Sequence, residues 1–154
     1  MAGYFFDSSA TVKRYVQETG TSWVINLFRT SNQDSFYCAR ITLVEVISAF
    51  SRRLKSKSLS SNQTTRAKTR FRCIFHRKFF KIEIDGVLIV KAADLAEKYA
   101  LRGYDAVQLA AAITSNNARI SIGASGLIFV SADKELNNAA TVEGLTVENP
   151  NDYP

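Results

Sequence analysis

The sequence predicts an α/β fold in three layers, with a mostly parallel central sheet of about four to five short strands and helices on both faces. Three observations carry that expectation. Short apolar runs, Tyr4–Phe6, Phe36–Ala39 and Leu127–Val130, read as buried strands. Stretches with helical spacing separate them, and alternation of this kind produces parallel strands joined by crossover helices. Two of the runs end in a hydroxyl-and-acid signal, Asp7-Ser8-Ser9 and Ser131-Ala132-Asp133, just where a helix should begin.

At 154 residues the chain is read as a single domain, 1–154, long enough to bury roughly two thirds of its unfolded surface. Apolar residues make up 46%, which argues against disorder. The formal charge of +6 points to a polyanionic partner. Cys38 and Cys73 have no metal-type spacing and are expected to be buried free thiols of a cytoplasmic protein. No signal-peptide pattern and no apolar run near 18 residues occurs, so no membrane association is expected.

Taken in order, Ala10–Val16 reads as a helix broken at Glu18-Thr19-Gly20, and Thr21 or Ser22 caps a second with Trp23, Ile25, Leu27 and Phe28 as its apolar content. A polar loop spans 31–35. Thr42 opens a third helix, with Glu45 in the capping-box position three residues on. Ser61–Phe80 reads as a helix whose core side carries Ala67, Phe71, Ile74, Phe75 and Phe79. Phe80–Ile84 alternates with charged residues like a third strand, ended by Asp85-Gly86. Val87–Tyr99 is helical, with Val90, Ala93, Leu95 and Ala96 expected inward. Tyr104–Thr114 is an alanine-rich helix, 115–126 a loose connection, Lys134–Val142 a helix stopped by Gly144, and Leu145–Val147 a last strand.

Four acids stand out by apolar context: Asp7, Glu45, Asp105 and Asp133. Each has a local explanation. Asp7 and Asp133 can cap helices, Glu45 can close a capping box, and Asp105 can interact with a helix dipole. In a parallel sheet, however, acids following strands lie at the carboxyl edge, where such folds bind ligands. Clustered carboxylates need a cation to remain ionised together, and hard oxygen donors select Mg2+ or Mn2+. Ions held there would suit hydrolysis of a phosphodiester. A second feature is basic. No acid occurs between Val46 and Ile82, while 11 of the 20 Lys and Arg residues lie between Arg52 and Lys81. Arg66, Arg70 and Arg77 share one face of their helix and are candidates for holding RNA phosphates or an acidic protein partner; a merely solvated face is the alternative.

At these positions the chain resembles the PIN-domain ribonucleases, and among them the VapC-type toxins of toxin–antitoxin pairs. The similarity rests on Phe6-Asp7-Ser8-Ser9-Ala10, Ile41-Thr42-Leu43-Val44-Glu45-Val46, Leu101 to Ala110 around Asp105, and Phe129 to Leu136 around Asp133, in that order, together with the ending Glu143 to Pro150. The resemblance implies a PIN-like fold, Mg2+-dependent endonucleolytic cleavage of RNA by the four acids as metal ligands, Ser9 or Ser131 as hydroxyl support, a cognate antitoxin, and frequent homodimers. Asn137 stands where some relatives carry a further acid. A non-catalytic RNA- or protein-binding module is the competing expectation; retention of all four acids argues against it. An aspartate-nucleophile phosphatase is disfavoured by Ser9, which occupies the place of its second acid.

Overall fold

The computed structural model describes residues 1–30 and 33–154, so positions 31 and 32 of the expected polar loop lie outside the described residues. The elements run β1 (Gly3–Phe6), α1 (Ser8–Val12), α2 (Thr21–Thr30), β2 (Ser35–Ala39), α3 (Thr42–Lys55), α4 (Ser61–Lys78), β3 (Phe79–Ile82), α5 (Gly86–Tyr99), α6 (Gly103–Ser121), β4 (Leu127–Val130), α7 (Lys134–Val142) and β5 (Thr146–Glu148), followed by a 3-10 turn at Pro150–Asp152. The sheet order is β3-β2-β1-β4-β5, and every pairing is parallel. The central strand β1 pairs Gly3 with both Ser35 and Leu127.

Alternation along β1 and β4 divides the core in two. Phe5 and Phe129 face α5, α6 and α7, with Leu109, Ala110 and Leu136 among the buried residues there. Phe6 and Val130 face the other way, into an aromatic-rich layer with Phe36, Phe50, Phe71 and Phe75 from β2, α3 and α4. Helices therefore cover both faces, as expected for a parallel sheet. One glycine is dictated by the fold. Gly20 has φ +85°, and a Cβ there would stand 2.2 Å from the Pro150 carbonyl oxygen.

Several boundaries differ from the sequence expectation, each for a physical reason. The first helix ends at Val12 rather than Val16 and is followed by tight turns. The fourth stops at Lys78 because Phe79 turns extended and pairs with Phe36. The alanine-rich helix runs seven residues further, to Ser121. Tertiary bonds hold this polar extension: Asn116 Oδ1 accepts from the Leu127 N–H, and Arg119 donates to the Ser125 carbonyl and the Tyr37 hydroxyl. In α5 the inward face is Leu88, Ala92 and Leu95; Ala96 is half-buried, while Val90 and Ala93 are exposed. A helix that opens Val87-Leu88-Ile89-Val90 is apolar on every side, so its spacing does not select a face. Cys38 is buried as expected, but Cys73 is exposed on α4.

Candidate active site

Asp7 follows the last residue of β1 and is 3% exposed. Its Oδ1 accepts from the Ala10 N–H at 2.8 Å, so the expected helix cap is real. Its carboxylate also takes bonds from the Ser9 and Ser131 hydroxyls, each at 2.8 Å. Those hydroxyls accept in turn, Ser9 from the Ala132 N–H and Ser131 from the Asp133 N–H. The two serines thus tie the carboxyl end of β1 to the turn after β4.

Burial pushes the Asp7 carboxyl up to about 7. Its three hydrogen-bond donors pull the other way, and nearby Glu45 adds to the rise. No cation pairs with it among the described residues.

Glu45 points into the same region from the first turn of α3. It is not a capping-box residue: Ile41 occupies the cap position, and no side chain caps the helix. Glu45 Oε2 instead accepts from the Ser8 hydroxyl at 3.0 Å, and Oε1 accepts from Gln108 Nε2 at 2.6 Å. Gln108 also donates to the Thr42 hydroxyl, so the amide that orients Glu45 is anchored at both ends of one α3 turn. Burial raises the Glu45 pKa, the Gln108 and Ser8 bonds oppose this, and Asp105 reinforces it.

Asp105, in the first turn of α6, is also raised, first by burial and then by Asp133. Asp133 caps α7 through the Leu136 N–H at 3.0 Å. Glu45, Asp105 and Asp133 line one crevice of about 510 Å³ with Ser8, Ser9, Arg52, Arg53 and Arg102. Asp7 lies beneath its floor, bonded to Ser9. The structure therefore brings the four predicted acids to one edge of the sheet, electrostatically linked in sequence from Asp7 to Glu45, Asp105 and Asp133.

Their donors suit a hard cation, since the crevice lining contains no His or Cys. Carboxyls raised by burial and by one another are also the electrostatic condition that a divalent ion relieves. Among the described residues, however, no three acidic, His or Cys side chains converge closely enough to hold a metal as arranged. Asp7 and Glu45 instead direct their oxygens to serine and glutamine partners. The fit is thus one of donor chemistry and charge, with side-chain rotation needed for convergence.

The basic candidates divide. Arg66 and Arg70 line a separate cleft, Arg77 lines neither, and all three are exposed. The crevice's own cations were not singled out from sequence. Arg52 and Arg102 have no ion-pair partner among the described residues, whereas Arg53 and Lys13 both pair with Glu18. Arg52 and Arg53 lay within the basic segment, but nothing local separated them from its other cations. Ser8 and Gln108 likewise gave no local signal beyond adjacency to a candidate acid.

A parallel sheet between two helical layers, with acids at its carboxyl edge, is a fold that solved structures share. The chain covers 98% of its own length and 85% of PAE2754 from Pyrobaculum aerophilum, with TM-score 0.64 and 14% identity. In sequence the chain is similar to two VapC ribonucleases. It is 29% identical over 143 residues to ribonuclease VapC45 and to ribonuclease VapC49, from two strains of Mycobacterium tuberculosis, covering 93% of its own length and 92% of theirs. Its fold also matches VapBC2 from Rickettsia felis bound to a promoter DNA fragment (TM-score 0.62, 16% identity, 96% and 98% coverage). A toxin–antitoxin complex from Klebsiella pneumoniae matches with TM-score 0.58, 17% identity, and 96% and 97% coverage. No protein-family model matches the chain.

Proposed function

We propose that the protein is a metal-dependent endoribonuclease, the toxin of a toxin–antitoxin pair acting in the cytoplasm. The observation that carries this reading is the gathering of Asp7, Glu45, Asp105 and Asp133 at one edge of the sheet, where burial and neighbouring acids raise the carboxyls of Asp7, Glu45 and Asp105. The ribonuclease names of the sequence relatives support the activity, and the toxin–antitoxin complexes of similar fold support the partner. The four acids would hold Mg2+ or Mn2+, whose chemistry is to activate water and offset charge on a phosphodiester.

The chain's own residues prepare that site. Ser9 and Ser131 fix the Asp7 carboxylate, and Gln108 and Ser8 fix Glu45. Arg52 and Arg102 set positive charge at the crevice wall, where RNA phosphates would approach. Arg66, Arg70 and Arg77 extend that field along α4. No helix among the described residues is long and apolar enough to cross a membrane.

The test is cleavage of total RNA by purified protein with Mg2+ or with EDTA. Asp7→Asn should fold and lose divalent-dependent cleavage by on the order of 10³-fold or more, several kcal/mol of barrier. Asp34→Asn should cleave like wild type, because Asp34 lies outside the crevice and accepts the Ala2 N–H. Wild-type cleavage by the Asp7 variant overturns the assignment.

A further inference from the structure

The second cleft, of about 500 Å³, lies between the turns that follow α1, the helix α2, the α3–α4 connection and α4. Its lining includes Arg14, Tyr15, Gln63, Arg66 and Arg70, and contains no acid. None of the three arginines is ion-paired among the described residues. The Arg14 guanidinium is held 4.3 Å over the Phe28 ring, and Tyr15 packs edge-on against Phe50 and Phe71. This packing locks both side chains in place.

Yet Arg14 Nη1 and the Tyr15 hydroxyl are buried with no hydrogen-bond partner. Two adjacent donors left unsatisfied in a rigid aromatic setting are costly unless an acceptor completes them. Burial raises the Tyr15 pKa and the neighbouring Arg14 guanidinium, beside the hydroxyl, opposes the rise, so the hydroxyl keeps its proton and stays a donor.

We infer that this cleft is an oxyanion site that seats a backbone phosphate of RNA lying outside the acidic crevice, with Arg14, Arg66, Arg70 and Tyr15 as its donors. One acceptor group would satisfy both orphaned donors, once side chains at the cleft wall rotate to admit it. RNA is favoured over an acidic protein segment because the two clefts adjoin along one chain segment. Lys13 lines the acidic crevice and Arg14 the basic cleft, and Arg53 and Ser58 stand on either side in the same way. A polyanion leaving the crevice passes Arg52 and the Lys13–Glu18–Arg53 cluster, two cations against one acid, before it reaches the second cleft. The substrate class that follows is a single strand extending several nucleotides beyond the cleaved bond. The inference rests on RNA being the substrate, and it concerns binding rather than cleavage.

The experiment measures affinity for fluorescent single-stranded RNA in EDTA, where no divalent cleavage occurs, using one oligonucleotide of 4 nucleotides and one of 16. Arg14→Gln/Arg70→Gln should weaken the long RNA about tenfold or more, and should flatten its salt dependence by roughly 0.7 of log–log slope per lost phosphate contact. The 4-mer should lose much less. Tyr15→Phe, which removes only the hydroxyl, should weaken the long RNA in the same direction, and Arg14→Lys should restore part of the loss. Circular dichroism melts confirm folding, and the single variants carry the test if the double variant does not fold. Unchanged long-RNA affinity overturns the inference. So does an equal loss for both lengths, which marks a general charge effect. Loss of polyglutamate binding with RNA affinity intact overturns it too, and assigns the cleft to an acidic protein. Wild-type cleavage in Mg2+ is scored separately: an RNA-binding cleft in a protein that cuts nothing sinks the nuclease reading alone.

Discussion

Asp7 concentrates the chemistry of the site in one side chain. Its folded pKa, about 7, lies well above the ordinary value of 3.8. The folded state therefore holds the proton more tightly than the unfolded chain. That contribution to stability is complete below pH 3.8 and is lost as pH rises through 7. A displacement of this size corresponds to about 4 kcal/mol at most. In EDTA, Asp7→Asn should melt well above wild type at pH 8 and close to it at pH 4; an equal difference at both pH values contradicts the assignment. The cysteines give a second test at this scale. Burial pushes the Cys38 thiol up to about 12, whereas Cys73 is exposed. Mass spectrometry after alkylation of the native protein at neutral pH should find one label, on Cys73, and a second only after denaturation.

At the scale of elements, the acids serve the fold and the site together. Asp7, Asp85 and Asp133 each accept an N–H from the first turn of the following helix, so capping and clustering are not rival explanations. This separates two substitutions. Asp133→Asn keeps a good cap while removing charge, and Asp133→Ala loses the cap as well, which should lower stability by ~1 kcal/mol relative to the Asn variant. A different element end is strained. Ala100 closes α5 in the left-handed region, φ 54°, where a Cβ is unfavourable. Ala100→Gly should stabilise the protein by ~0.5–1 kcal/mol in urea unfolding, and a lower midpoint contradicts this reading.

The whole molecule sets the electrostatics that no element has alone. With a net charge of +6, the chain still gathers four acids at one sheet edge. Without metal their mutual repulsion opposes folding. Asp105→Asn should therefore raise the melting temperature in EDTA, and added Mg2+ should stabilise wild type more than this variant. A drop in melting temperature together with no Mg2+ effect on wild type would mean that the acids act only as caps. The cations are divided between the acidic crevice and the second cleft. Glu18 ties Lys13 and Arg53 between the two clefts, leaving Arg52 and Arg102 on one side and Arg14, Arg66 and Arg70 on the other without ion-pair partners among the described residues.

What the sequence determined by itself is what near neighbours decide. A buried run ending in Asp-Ser-Ser or Ser-Ala-Asp can only deliver its acid at a strand end, so the places of Asp7 and Asp133 were legible, and with them the parallel sheet; Ser9 and Ser131 came from the resemblance alone. Glu45 was legible as a candidate but not in its contacts: the capping-box pattern is local, whereas the amide that holds Glu45 comes from Gln108, 63 residues away. The buried face of α5 and the length of α6 were decided by tertiary packing, because an all-round apolar run and a Ser/Asn-rich tail leave the choice to distant partners. The orphaned donors of Arg14 and Tyr15 belong to the same class. Whether a polar atom finds a partner depends on every element packed around it, and that is settled only when the chain has folded.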